Sequence, residues 1–251
     1  VSIPTFRPDD RLTRAIQSVL DQTHHNIAVI VVNDGVARFP NRLLPRDDRL
    51  IRFDLASNRG RYYADAVTLA AATTTWWTPH DSDDWSNPDR LEHLLAAADP
   101  TRDFIMGGYL RHRLTGETDA VYPSPRLMVG APRRLRHVAH HTALWRTESL
   151  RAIGGPDPSY RVAYDTLQMA LAINLLRWRT VAEPRYHYHE RTDSLMRSTD
   201  VGWGSPHRKE AWRRRQEAWD YFRQHHQIAP RPDDDLAEMV HVDAARLADL
   251  L

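Results

Sequence analysis

From Val1 to about residue 110 the apolar positions change period repeatedly, and each change predicts an element. Val1 to Thr5 is a short buried-strand pattern, closed by Pro4 and the Arg7-Pro8-Asp9-Asp10 turn. Leu12, Ala15, Ile16, Val19 and Leu20 then recur at the spacing of an amphipathic helix, with Asp9 and Asp10 where helix caps belong. Ile27 to Val32 is an almost unbroken apolar run, the pattern of a parallel strand covered on both faces, and it stops at Asn33-Asp34-Gly35. A weaker strand over Leu50 to Leu55 ends at Ser57-Asn58-Arg59-Gly60. The spacing predicts a helix over 61–72 and a β-prone run over 73–78 that leads into Asp81-Ser82-Asp83-Asp84-Trp85. Ser86-Asn87-Pro88 reads as a helix start with proline at its first position, and Phe104 to Tyr109 as another strand.

From Arg111 to Val138 the chain is arginine-rich and irregular. A strand follows at 142–146, a loop at Gly154-Gly155-Pro156-Asp157-Pro158, a helix over 164–176 and a strand over 178–182. In Tyr186-His187-Tyr188-His189 the alternation sets both histidines on one face of a strand. After Trp203 the pattern becomes that of charged helices, over 210–225 and 236–251. We therefore expect one α/β domain over 1–202, a mostly parallel sheet flanked by helices, with a helical extension over 203–251 packed on it. In open sheets of this kind ligands bind beyond the carboxyl ends of the strands. Three of those ends carry Asp34, Asn58 and Asp81 to Asp83.

Composition narrows the function. A formal net charge of +1 excludes a nucleic-acid binder that relies on a whole-protein positive field. The absence of cysteine removes disulfides, thiolate metal sites and thiol nucleophiles. No run of about 18 apolar residues is present, so no transmembrane helix is expected. The chain opens directly on a core-strand pattern with no signal peptide, which suggests a trimmed natural start and a cytoplasmic protein. Lys209 is the only lysine among 34 basic residues; such an arginine excess reads first as the mark of a GC-rich genome, and although arginine suits diphosphates and carboxylates the count alone does not show that. Trp76, Trp77, Trp178, Trp212 and Trp219 are read as core.

Asp81-Ser82-Asp83-Asp84 sets three carboxylates within four residues. Such a cluster is costly unless a cation neutralises it, and a hard divalent ion shared with substrate phosphates is one solution. Ser82 and Asp84 could partly serve as caps for the following helix, but the motif's place after a β-prone run favours the functional reading.

In order along the chain, these pieces resemble the family 2 glycosyltransferases of the GT-A fold. Val1-Ser2-Ile3-Pro4-Thr5 is similar to the family's first strand, and Ala15-Ile16-Gln17-Ser18-Val19-Leu20-Asp21-Gln22-Thr23 to its following helix. Val31-Val32-Asn33-Asp34-Gly35 resembles its second-strand motif, Asn58-Arg59-Gly60 its asparagine–glycine turn and Asp81-Ser82-Asp83-Asp84 its acidic motif. Gly154-Gly155-Pro156-Asp157 with Tyr164-Asp165 resembles the segment before its catalytic helix. The resemblance spans roughly residues 1–200. Asn33 stands where an acid is common, and Tyr164 replaces the glutamate of the usual acidic pair.

The resemblance implies inverting, metal-dependent transfer of a sugar from a nucleotide diphosphate to an acceptor hydroxyl, small-molecule or glycan. It places the nucleotide at Pro4, Thr5, Arg7, Asp34, Asn58, Arg61, Asp81 and Ser82. Mn2+ or Mg2+ would be held by Asp83, with His189, five residues before Ser194, completing the coordination. Asp165 would be the base and Asp157 its runner-up. His140, His141 and Trp85 would lie near the acceptor. Two other readings stay open. A sugar nucleotidyltransferase would want a glycine-rich phosphate loop, which Thr5-Phe6-Arg7-Pro8 does not supply. A non-catalytic nucleotide-sugar or carbohydrate-binding protein would keep Asp34 and the acidic motif but need no base.

Overall fold

The computed structural model describes residues 1–123, 140–231 and 234–251, with the side chain at position 196 set aside. Asp9 caps the first helix as its position suggested: its carboxylate accepts from the Arg11 backbone N–H at 2.9 Å, opening α1 (Asp10–Leu20). The stripe Leu12, Ile16, Val19 and Leu20 covers one face of a parallel sheet of order β1 (Ser2–Thr5), β2 (Val29–Asn33), β3 (Leu50–Asp54). Val29 and Val31 of β2 face that helix. Ile30 and Val32 face the other way, onto Tyr63, Ala64 and Val67 of α2 (Arg61–Ala71) and onto α7 (Asp234–Ala248). Both faces of β2 are covered, which is why its sequence shows no alternation.

The second half of the sheet is mixed. β4 (Trp76–Trp77), β5 (Trp85–Ser86), β6 (Phe104–His112), β7 (Thr118–Val121), β8 (Ala143–Arg146) and β9 (Trp178–His189) follow the path β4–β8–β6–β9–β5, with β7 on β6. Of these pairs only β6–β9 is parallel. Ser2 joins the halves: its N–H donates to the Thr78 carbonyl at 3.0 Å, and its own carbonyl accepts from His80 N–H at 2.8 Å. The run over 73–78 therefore pairs as a strand only at Trp76 and Trp77, because Pro79 has no N–H to carry the ladder on.

Three further expectations change. The helix signalled at Pro88 begins at Arg90, as α3 (Arg90–Ala96), because Ser86 sits in β5 and Asn87 N–H donates to the Arg185 carbonyl. The irregular stretch from Arg111 starts as a hairpin of β6 and β7, fastened where Arg111 and Arg113 both bind Asp119. Its remainder, 124–138, lies outside the described residues. The strand over 178–182 continues to His189, its register shifting where Pro184 meets Gly108. A helix with no sequence expectation, α4 (Thr147–Ala152), precedes α5 (Asp165–Leu175).

The carboxyl-terminal helices share both cores. α6 (Pro206–His225), capped by Ser205, buries Ala211, Trp219 and Phe222 among Leu69, Trp145 and Leu167. α7 adds Val240, Ala244 and Leu247 to the core under α2 and β2.

Candidate active site at the strand ends

The first strand ends converge on Asp34. Its backbone N–H donates to the Thr5 carbonyl at 2.8 Å, which fixes it beside the end of β1. Its carboxylate accepts from Arg59 N–H (2.7 Å), Gly60 N–H (2.9 Å) and the Asn58 amide (3.1 Å). Burial pushes Asp34 above the ordinary carboxylate range, against the pull of those N–H donors. The turn and the loop close on each other at Gly35, where φ is +82° and an added Cβ would lie 2.3 Å from Asn58 N. Only glycine fits there. Arg161 in turn holds the loop, donating to the Asn58 carbonyl at 3.0 Å.

The acidic motif lies across from this clamp and is matched by arginines. Arg61, at the first position of α2, pairs with Asp81 and donates to Asp65 at 3.2 Å. Arg191, just beyond β9, reaches Asp83 at 2.6 Å. Asp84 is fully buried and accepts from the Tyr186 hydroxyl (2.9 Å) and His189 N–H (2.8 Å), so it is not a helix cap. The three carboxylates separate electrostatically. Burial disfavours charge on Asp81, but Arg61 and His141 outweigh it and hold that carboxyl well below its usual range. Burial, then the charge of Asp81, pushes Asp83 up, and the same causes push Asp84 up much further.

Histidines complete the surroundings. His141 Nδ1 lies 3.6 Å from an Asp81 oxygen, and burial pushes this imidazole down to about 4, against the pull of Asp81. Ligand atoms of Asp81, Asp84 and His141 lie within 4.8 Å of one another, a grouping suited to a metal ion. This grouping differs from the expected Asp83 and His189, of which Asp83 pairs with Arg191 and His189 N–H donates to Asp84. His187 and His189 do share a strand face, since both contact Trp85. Trp85 stacks on His112 and His187 at 4.7 Å and has the Arg14 guanidinium 3.8 Å from its ring centroid, so little of its indole is free for a sugar.

Asp165, at the first position of α5, is joined to the same cluster through Tyr62. The Tyr62 hydroxyl donates to Asp165 Oδ1 at 3.2 Å and accepts from Asp165 N–H at 3.2 Å, while its ring lies 6.5 Å from that of His140. Asp157 is committed elsewhere: it accepts from Ser159 N–H (3.0 Å) and Oγ (2.6 Å) and faces Arg231 at 3.8 Å.

Several buried polar atoms here have no hydrogen-bond partner among the described residues: Thr5 Oγ1, Arg61 Nη2, His140 Nε2, His141 Nε2 and His189 Nδ1. Native proteins leave few such groups, and these lie at the strand ends, where sheets of this kind take ligands. Pro4 and Ser82 border it half-buried, and Arg7 is exposed on the β1–α1 loop. Sequence reasoning missed Asp65, Tyr62 and Arg191. The i, i+4 spacing of Arg61 and Asp65 was the one available signal.

A family model described as glycosyl transferase family 2 matches residues 1–154. The succinoglycan biosynthesis protein ExoO of Rhizobium meliloti is 33% identical over 99 residues, 39% of this chain and 28% of that protein. Glycosyltransferase GlyA of Streptococcus pneumoniae is 27% identical over 114 residues, 43% of this chain and 16% of that protein. The chain thus spans well under half the length of these relatives. Among solved structures, S. aureus TarS 1-349 in complex with UDP-GlcNAc superposes with a TM-score of 0.63 at 19% identity, covering 80% of this chain and 60% of that one. Mannosyltransferase PcManGT from Pyrobaculum calidifontis, in complex with GDP-Man and Mn2+, gives 0.57 at 18% identity, covering 97% and 68%. At these identities the likeness is one of fold. No helix among the described residues is long and apolar enough to cross a membrane.

Proposed function

The chain belongs to glycosyl transferase family 2, and from that membership we propose that it transfers a sugar from a nucleoside diphosphate donor to an acceptor hydroxyl with inversion. The observation that carries this reading is the set of unpartnered buried polar atoms on Thr5, Arg61, His140, His141 and His189, gathered between the Asp34 clamp and Asp165.

The division of labour follows from the geometry. Three of the roughly four acceptor positions on the Asp34 carboxylate are filled by the 58–60 loop, which leaves one for the imide N–H of uracil, guanine or thymine. Pro4, Thr5, Asn58 and Ser82 line the nucleotide, and Arg7, Arg61 and Arg191 supply cations for its diphosphate. Mn2+ or Mg2+ would be held by the Asp81 and Asp84 carboxylates with the His141 imidazole, whose ligand atoms lie within 4.8 Å of one another, and Asp83 and His189 are the further ligands that the family resemblance implies. Such an ion would neutralise charge on the departing diphosphate. Asp165, oriented by Tyr62, takes the proton of the acceptor hydroxyl as its oxygen bonds to the anomeric carbon. The bond from that carbon to the diphosphate oxygen breaks on the opposite side, and its electron pair leaves with the nucleotide.

The test follows nucleoside diphosphate release from UDP-, GDP- and dTDP-sugars by the parent and by Asp165→Asn. At least one donor is turned over by the parent. Asp165→Asn keeps donor affinity and loses about a hundredfold in rate, the scale for removing a general base. A variant that turns over within about threefold of the parent removes Asp165 from this role and makes Asp157 the next candidate.

A further inference from the structure

Beyond the donor site, the described surface carries an aromatic feature that the reaction as proposed leaves unused. Trp203, in the loop between β9 and α6, is 62% exposed, and its ring centroid lies 5.5 Å from that of half-buried Trp212 on α6, at an interplanar angle of 52°. The Arg208 guanidinium lies 5.1 Å from the Trp203 ring. Arg208 is buried and donates to the Val201 carbonyl at 2.9 Å. The exposed pair His207 and Asp200, 3.2 Å apart, gives the loop a polar rim, and Gly204 faces open space.

The helix that this loop leads into is tied to the elements around the proposed base. Arg214 of α6 donates to Ser159 Oγ at 2.7 Å, and Arg215 donates to Thr166 Oγ1, next to Asp165, at 2.6 Å. The middle of α6 is thereby held against the start of α5 and the turn at Ser159, while Val201, two residues before Trp203, is buried in the core cluster that holds Tyr62 and Tyr164 beside Asp165. An acceptor held here would bring a hydroxyl to Asp165 while covering an indole. A pyranose does both, since its C–H face is apolar and its rim carries hydroxyls.

We propose that Trp203 and Trp212, with Arg208 behind them, form the acceptor subsite and that it takes a pyranose unit of a carbohydrate acceptor. The proposal rests on the transferase reading and on Asp165 as base. Flat aromatic surface of this kind supplies contact at little entropic cost, and its polar edge sets orientation. It also gives the carboxyl-terminal extension a part in substrate choice as well as in packing.

The test uses ligand-observed saturation-transfer NMR with maltotriose, chitotriose and mannotriose as probes. Titrations run with UDP or GDP present, on the parent, Trp203→Ala and Trp203→Tyr. The same samples are titrated calorimetrically with the nucleotide alone. At least one trisaccharide binds the parent, Trp203→Ala weakens it by about tenfold, equal to about 1.4 kcal/mol, and Trp203→Tyr stays within about threefold. Nucleotide affinity is unchanged throughout, because Trp203 lies outside the donor site. Melting temperatures check that the variants fold, as expected for a side chain so exposed. The proposal is overturned if none of the three sugars binds, or if Trp203→Ala binds as well as the parent. Loss of nucleotide binding by the parent itself would instead count against the transferase reading.

Discussion

Arg191→Gln probes how the acidic motif is balanced. Arg191 Nε stands 2.6 Å from Asp83, with the two side chains 19% and 23% exposed. Asp83 is meanwhile pushed up by burial and by the charge of Asp81. Two unit charges about 4 Å apart in a medium of effective dielectric about 20 attract by about 4 kcal/mol. Desolvation and screening reduce that, since exposed pairs are worth only about 0.2–1 kcal/mol. For a pair this partly covered, about 1–2 kcal/mol is a fair net value. A divalent ion that takes Asp83 competes with Arg191 for its carboxylate. Deleting the guanidinium should therefore tighten Mn2+ binding by that amount, about 5- to 30-fold. Nucleoside diphosphate binding should weaken, because the displaced arginine is then missing from the phosphates. Calorimetric titration of Mn2+ alone into the parent, Arg191→Gln and Asp83→Asn separates the terms. If Arg191→Gln binds Mn2+ no more tightly than the parent, the arginine is not a competing counter-ion. If Asp83→Asn is also unchanged, Asp83 is not a metal ligand.

Asp65 sets a pH dependence of stability. Burial, opposed by Arg61, raises its carboxyl from 3.8 to about 6, so the stability it contributes is fully present below about 3.8 and is lost as pH rises through about 6. Between pH 5 and 7.5 the parent should lose about 1 kcal/mol more than Asp65→Asn; denaturant melts of both that run parallel would contradict this. For the metal's nitrogen donor, His189→Ala should raise the Mn2+ concentration needed for half-maximal activity. If His141→Ala has the larger effect, the ligand grouping with Asp81 and Asp84 is the working one.

Local physics explains which parts of this site were legible. β2 announced itself because Val29 to Val32 must be apolar on both faces, and Asp9 because a cap acts on the residue two positions on. Asp34 and Asn58 stood at strand ends, where a doubly covered sheet exposes its backbone. The mixed character of the second sheet was hidden, since β6 carries no sequence mark that it pairs in parallel with β9 and antiparallel with β8. Contacts distant in sequence were equally silent. The Tyr62–Asp165 bond spans 103 residues, and Arg191 gives no local hint that it meets Asp83. Trp85 illustrates the converse: its place beside the motif suggested a sugar platform, but His112, His187 and Arg14 occupy its ring.

The most direct measurement is a calorimetric titration of UDP, GDP and dTDP into the parent and Asp83→Ala, each with and without Mn2+. One nucleotide should bind the parent, with Mn2+ strengthening it by about tenfold or more through relief of the repulsion among Asp81, Asp83 and Asp84. That enhancement should vanish in Asp83→Ala while the melting temperature holds. A parent that binds none of the three nucleotides, or an Asp83→Ala variant that keeps the full Mn2+ effect, would contradict a metal-assisted nucleotide-sugar site at these strand ends.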